Sequence, residues 1–254
     1  MRAVNDAAAG GPVVLFDLDD TLMAHRAAVD AGIALHMSER AYEAEHAAAQ
    51  ELWHDLEEEH YHAYLAGRLT FEGQRRARAR DFALAHGEEL DDLAAGAWFA
   101  RYFERYRDSW SLHDDAVPAL DALAEALPGV RFGIITNGEL GFQQAKLDRL
   151  GITDRFDHVV ASGHVGVTKP DPGIFGLAMA RFASDAPVTA AAYVGDRLVT
   201  DAIGAATAGL VGVWLNRAGA SMADDESAAA AVAGVVEIGS LADLAPVLAE
   251  RLTA

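Results

Sequence analysis

The sequence predicts an α/β protein whose parallel sheet is interrupted, after its first strand, by a block of helices. Three observations predict it. A short apolar run, Val13-Val14-Leu15-Phe16, stands alone near the start and has the length of a buried strand. From about residue 27 to 106 the pattern is helical, rich in Ala, Glu, Arg and His, without a convincing strand. Beyond Ser109 the texture becomes strand, turn and helix, repeated. Strands separated by helices of that length form right-handed βαβ units and a mostly parallel sheet.

Taken in order, the residues before Pro12 read as a loose tail, and residues 13–17 give the first strand. The helical block is punctuated by Gly67, Gly87 and Gly96, and it accommodates about four helices of ordinary length. Thr70 followed by the acidic Glu72 makes a helix start there. Asp114-Asp115 precede a helix over 116–127, with Pro118 tolerated in its first turn. A strand over 131–136 leads to a helix over 139–150 that stops at Gly151. A strand over 156–161, a helix over 172–182 and a strand over 190–194 follow. A helix over 198–208 is closed by Gly209, and a strand covers 210–215. The acidic, Ala-rich stretch 223–233 reads as a surface loop or loose helix, 235–238 as an edge strand, and 241–252 as a final helix.

Bulk properties narrow the class. The 254 residues fit one domain, or one domain with an insert. At 52% hydrophobic the chain builds a sizeable core. A net charge of -19 argues against a surface that neutralises phosphate backbones, so a nucleic acid polymer is not an expected partner. A small anionic substrate stays open, because a local pocket can be positive on an acidic protein. The absence of cysteine excludes disulfides and Cys-ligated zinc and fits a cytoplasmic chain. The first eleven residues hold one Arg and no apolar core, so they do not read as a signal peptide. No apolar stretch has the length of a membrane span.

Chemistry-bearing residues gather in four segments. In Phe16-Asp17-Leu18-Asp19-Asp20-Thr21-Leu22, two carboxylates two residues apart follow a buried strand. That spacing suits a nucleophile beside a proton donor, at the strand end where open α/β sheets bind ligands. The plainer reading is a polar capped turn. In Ile134-Ile135-Thr136-Asn137-Gly138 a buried strand ends in a hydroxyl, an amide and a glycine before a helix. Thr136 and the N–H groups near Asn137 and Gly138 are placed to hold phosphate oxygens. In Val165-Gly166-Val167-Thr168-Lys169-Pro170-Asp171-Pro172, Lys169 sits between a tight glycine loop and two prolines. In Tyr193-Val194-Gly195-Asp196-Arg197-Leu198-Val199-Thr200-Asp201, two carboxylates flank a strand-to-helix turn.

In that order the four segments resemble motifs I to IV of the haloacid dehalogenase-like (HAD) hydrolase superfamily: Asp-x-Asp-x-Thr, the phosphate-binding Thr, Lys-Pro-x-Pro and Gly-Asp-x4-Asp. The resemblance implies a Rossmann-like core over 1–25 and 110–254, with an all-helical cap of the C1 type inserted over 26–109. It implies that Asp17 is the nucleophile of an aspartyl-phosphate route. Asp19 would protonate the leaving alcohol and later deprotonate water, a double role that calls for a pKa lifted toward the working pH. Thr21 would orient Asp19 or its loop. Thr136, Asn137, Gly138 and Lys169 would hold the phosphoryl group, and Lys169 would neutralise charge. Mg²⁺ is the implied cofactor, with Asp17 and Asp196 supplying carboxylate oxygens, Asp19 its backbone carbonyl, and Asp201 orienting the shell.

Haloacid dehalogenases of the superfamily lack the second aspartate and need no metal, so Asp19 favours phosphoryl chemistry. The runs Thr136-Asn137-Gly138, Gln143-Gln144-Ala145-Lys146-Leu147, Gly151-Ile152, Gly166-Val167 and Lys169-Pro170 look like the nucleotidase-like group of capped phosphatases, with its N-acylneuraminate-9-phosphatase branch. The expected substrate is a small phosphomonoester, a nucleoside monophosphate or a sugar phosphate. Two other readings stand beside it: a phosphomutase, for which Arg75, Arg76, Arg78 and Arg80 would supply a second phosphate site, and a non-catalytic ligand-binding protein on the same fold. Those arginines otherwise read as a solvated helix face. Leu52-Trp53-His54 and the tyrosines of 61–64 read as helix packing, or as ring faces offered to a base or sugar. His60 and His62 point apart on a helix and do not read as a metal site.

Overall fold

The computed structural model describes residues 10–42 and 45–253. In chain order the strands and helices are β1 (Gly11–Phe16), α1 (His25–Arg40), α2 (His46–Leu65), α3 (Phe71–Ala85), α4 (Asp92–Asp108), α5 (Ala116–Ala126), β2 (Arg131–Thr136), α6 (Leu140–Leu150), β3 (His158–Ala161), α7 (Ser162–Val165), α8 (Pro172–Asp185), β4 (Val188–Gly195), α9 (Gly204–Thr207), β5 (Val211–Leu215), α10 (Asp224–Ala233), β6 (Val236–Ile238) and α11 (Leu244–Thr253). The chain forms two compact units, one of the residues through Ala24 together with Ser111–Ala254, the other His25–Trp110.

The sheet unit carries a six-stranded sheet in the order β3-β2-β1-β4-β5-β6, every neighbouring pair parallel. The α/β expectation therefore holds. From β1 the chain fills one side with β2 and β3, then returns to the other side with β4, so strand order reverses beside β1. Open parallel sheets bind ligands at that reversal, outside the carboxyl ends of the strands. Helix-covered parallel strands are buried on both faces; Val13, Val14, Leu15 and Phe16 are all fully buried. Alternate residues serve opposite faces, and Val13, Leu15, Ile135 and Tyr193 pack with Phe175 and Phe182 of α8 on one of them.

Boundaries moved where local chemistry outweighed pattern. Residues 1–9 of the expected tail lie outside the described residues, as does most of the stretch read as free of a signal peptide. The strand itself begins at Gly11, whose N–H donates to the Pro187 carbonyl at 3.2 Å. The loop-or-loose-helix stretch is the helix α10. Helix α6 stops at Gly151 as expected, in the left-handed conformation (φ 71°) that a residue with a side chain resists. The expected helix over 198–208 divides into a π-helical turn, Leu198–Ile203, and the short α9.

In the helical unit, α1 to α4 surround an aromatic core. Trp53, Trp98 and Tyr102 are almost fully buried, and Trp53 meets Tyr102 edge-on at 4.5 Å and Phe82 at 5.2 Å. Thr70 caps α3, its hydroxyl accepting from Gly73 N at 2.9 Å. Gly67 and Gly87 stand between helices; Gly96 lies inside α4, so it does not punctuate. Among the described residues no helix is long and apolar enough to cross a membrane.

Candidate active site

Because the sheet is parallel, the carboxyl ends of its strands emerge side by side, and residues far apart in sequence meet there. Asp17 follows β1, Thr136 ends β2, and Asp196 follows β4. The Asp17 N–H donates to the Val194 carbonyl at 2.9 Å, which extends the β1–β4 pairing one residue into the site. Lys169 lies in the loop before α8, and Asn137 grips its backbone on both sides. Asn137 Nδ2 donates to the Lys169 carbonyl at 3.0 Å, and Lys169 N donates to Asn137 Oδ1 at 2.8 Å. The amide of the second segment thus fixes the lysine of the third.

The Lys169 ammonium donates to Asp17 Oδ1, Asp201 Oδ1 and the Tyr193 hydroxyl, each at 2.7 Å. Lys169, Asp17 and Asp201 are all buried. Burial disfavours the ammonium, yet Asp17 and Asp201 outweigh it and hold the lysine pKa above its usual value. Oxygens of Asp17, Asp196 and Asp201 lie within 4.8 Å of one another. Two buried carboxylates then share one ammonium, with the half-buried Asp196 beside them. Burial pushes Asp17 up to about 6, with Lys169 opposing and Asp201 and Asp19 adding to the rise. Burial, together with Asp17 and Asp201, pushes Asp196 up to about 8.

Asp201 is aimed by its surroundings. Its Oδ2 accepts from Arg197 N at 3.0 Å across the π-helical turn. Its carboxyl lies against the Gly195 α-carbon, where a Cβ would come within 2.4 Å of the Asp201 Cγ; only glycine admits that approach. Trp214 Nε1 donates to the Asp196 carbonyl at 2.9 Å and steadies the other end of the segment.

Asp19 lies outside the three-carboxylate group. Its two oxygens accept from Lys146 Nζ of α6 at 2.6 and 2.7 Å. Asp20 holds the turn in a left-handed conformation (φ 60°), with its N–H donating to the Met23 carbonyl at 2.8 Å. Thr21 is buried, and its hydroxyl has no hydrogen-bond partner among the described residues, so no hydrogen bond from it holds Asp19. Its carbonyl instead accepts from Arg217 Nη2 at 3.1 Å, and Arg217 is held by both oxygens of Asp115 at 2.8 Å.

Sequence reasoning missed Tyr193, Lys146, Gln143, Trp214 and Arg217 as supports. Tyr193 is fully buried in β4 and donates to the Ile135 carbonyl at 2.9 Å. Burial and the surrounding carboxylates hold its pKa well above the usual value. Its signal was a tyrosine within an otherwise aliphatic strand.

The arginines of α3 form no open cationic rim. Arg75 donates to Glu72 at 3.0 Å and lies over the Phe71 ring at 4.2 Å. Arg76 and Arg80 both donate to Asp92, and Arg78 pairs with Glu57. Trp53 is core, which settles its two readings in favour of packing. His60 bonds Asp81 at 2.7 Å, and His62 faces Glu58 at 3.7 Å.

Comparison with known proteins gives the family and the fold. The sequence model of the haloacid dehalogenase-like hydrolases matches residues 12–209. A ribulose-1,5-bisphosphate 5-phosphatase of Halopiger xanaduensis is 33% identical over 249 residues, covering 91% of this chain and 98% of that protein. The pyrimidine 5'-nucleotidase YjjG of Escherichia coli is 40% identical over 101 residues, 39% of this chain and 44% of that protein. The magnesium-bound HAD-hydrolase YfnB of Bacillus subtilis superposes with a TM-score of 0.74 at 20% identity, covering 94% of this chain and 99% of that one, which speaks to the fold. The chain belongs to the haloacid dehalogenase-like hydrolases. Within them its enzyme class is that of the phosphoric monoester hydrolases.

Proposed function

We propose that the protein is an Mg²⁺-dependent phosphatase that hydrolyses a small phosphomonoester through an aspartyl-phosphate at Asp17. One observation carries the reading: Asp17, buried at the strand reversal, is held by Lys169 at 2.7 Å while Asp196 and Asp201 crowd it. Such an excess of negative charge costs stability, and stability alone gives no reason for it.

The carboxylate group fits a hard divalent cation. Its donors are all oxygen, and burial first, with the neighbouring carboxylates adding, raises Asp17 and Asp196, a cost that a bound cation would offset. Asp17 and Asp196 would hold it with the Asp19 backbone carbonyl, and Asp201 would orient them. When bound, the cation supplies positive charge beside the nucleophile and the transferring group.

The chain's own residues then divide the work. Asp17 attacks phosphorus, and the bond from phosphorus to the ester oxygen breaks. Asp19 gives its proton to the departing oxygen. In the second half Asp19 takes a proton from water, whose oxygen attacks phosphorus as the bond to Asp17 breaks. Thr136, the N–H groups at Asn137 and Gly138, and Lys169 hold the group in line. A sugar phosphate is the favoured substrate, since the relative matched over nearly its whole length is a sugar bisphosphate phosphatase. A phosphomutase would need a second phosphate site, and the α3 arginines proposed for it are paired with carboxylates.

The test is phosphate release from p-nitrophenyl phosphate and a panel of sugar phosphates and nucleoside monophosphates, with EDTA and after Mg²⁺ is restored. Activity lost in EDTA and regained with Mg²⁺ is expected. Turnover indifferent to EDTA would overturn the reading.

A further inference from the structure

We infer that Lys146, backed by Gln143, is the positioning residue for Asp19, so that the site uses two ammonium groups: Lys169 for the nucleophile and Lys146 for the proton donor. This rests on the phosphatase reading above and extends it to residues that reading leaves idle.

The starting point is a helix with the wrong residues on its inner face. Helix α6 buries Gln143, Lys146 and Leu147. Burying a long cationic side chain is costly unless it is paired. Lys146 is 1% exposed, among the most buried large side chains of the protein. An apolar residue there would pack without that cost. A polar pair standing where packing calls for aliphatics is a local rule broken at a site.

What the lysine does is written in its contacts. Its ammonium meets both oxygens of Asp19, at 2.6 and 2.7 Å, which fixes the place of the ionised carboxylate; one of the two contacts gives way when Asp19 carries the proton it donates. Its Nζ also lies 4.6 Å from the centre of the Phe142 ring. Gln143 Nε2 approaches Asp19 Oδ2 at 3.5 Å, a long contact that limits swing on that side. Gln143 in turn rests against Gly138, where a Cβ would stand 2.6 Å from its Nε2. Gly138 thus admits Gln143 as well as offering backbone N–H groups. The Asp19 side chain keeps 29% of its surface exposed, while the ammonium beside it keeps 1%. Lys146 therefore holds Asp19 from the protein side and leaves it open to solvent. Among the described residues the carboxylate that Lys146 bonds is Asp19, so it acts through Asp19.

A lysine that merely strengthens the fold and one that places a proton donor make different kinetic predictions. With enzyme in excess over substrate, one turnover reads only the first half-reaction. Phenoxide leaves phosphorus poorly without a proton, whereas 2,4-dinitrophenolate leaves readily without one. Lys146→Met is expected to slow release from phenyl phosphate about 20-fold and from 2,4-dinitrophenyl phosphate less than about threefold. Asp19→Asn is expected to give the same contrast, and Lys146→Arg to recover part of it. Lys146→Gln, which keeps a donor without a charge, reads the same contrast if the Met variant is insoluble.

Equal slowing on both esters, or slowing on neither, would overturn the inference. If Asp19→Asn shows the contrast and Lys146→Met does not, the inference alone fails. If Asp19→Asn lacks it, the proton-donor role falls, and the role of Lys146 falls with it.

Discussion

In the helical unit, several ionisable side chains at or near the core stand one to one with a carboxylate. Arg78 meets Glu57, His60 meets Asp81 at 2.7 Å, and His54 meets Asp30 at 2.7 Å. At the carboxyl ends of the sheet, Asp17 and Asp201 both bond the Lys169 ammonium, and an oxygen of Asp196 lies within 4.8 Å of theirs. Pairing is what a fold needs from charges it has buried. An unbalanced excess is a cost that packing does not explain, and it falls where parallel strands deliver ligands. The difference separates charge that holds a structure from charge kept for a reaction. Each of the α3 arginines, prominent in sequence, likewise has a carboxylate close by.

The comparison breaks first at Lys169. Lys169→Met takes the ammonium from Asp17 and Asp201, and kcat on p-nitrophenyl phosphate is expected to fall about 1000-fold. Steady-state kinetics, with circular dichroism to confirm the fold, reads the loss; turnover near that of the unaltered enzyme would remove the lysine from the chemistry.

In the helical unit the same kind of deletion should cost stability instead. Arg78 is 5% exposed and its guanidinium lies 4.4 Å from the Trp53 ring centre. Arg78→Met leaves Glu57 without its strongest partner and is expected to cost about 3 kcal/mol in urea unfolding. Adding Glu57→Gln should recover much of that, while kcat on p-nitrophenyl phosphate stays within about twofold. A loss of turnover without a loss of stability would erase the distinction between the two units.

His36 sharpens the contrast at smaller scale. It is 1% exposed, neither ring nitrogen has a hydrogen-bond partner among the described residues, and it meets the Trp98 ring edge-on at 4.3 Å. Burial lowers its pKa from 6.5 to about 4, with Arg40 and Arg105 adding to the fall and Glu39 and Glu88 opposing it. The unfolded chain therefore takes up a proton that the fold resists. Stability is full above pH 6.5 and is lost as pH falls from there toward 4. Urea midpoints of the protein and of His36→Leu should diverge across that window by about 2 kcal/mol. Parallel curves would show that His36 is not held neutral.

Much of this was legible before any coordinates. Apolar runs of strand length alternating with helices specify a parallel sheet, and a parallel sheet brings its strand ends together, so Asp17, Thr136 and Asp196 were readable at one edge; Lys169 and Asp201 were added to them by the resemblance to the four HAD motifs. What escaped depends on which way a helix turns. Lys146 and Gln143 have ordinary helical spacing, and periodicity treats polar residues as the outer face, so their burial shows only once α6 is docked. The turn Leu198–Ile203 reads as plain helix, because its wider winding is set by the demand that Asp201 reach both Lys169 and Arg197 N. Trp214 and Arg217 support the site through backbone carbonyls, which carry no sequence signal.

The central claim is that the carboxylate at position 17 takes the phosphoryl group. Enzyme mixed with p-nitrophenyl phosphate and Mg²⁺, quenched in acid and digested, can be read by mass spectrometry. The account predicts a phosphoryl group on the peptide carrying Asp17, removed by hydroxylamine and missing from Asp17→Asn. Steady turnover with that peptide unmodified, or with the phosphoryl group on another residue, would contradict it.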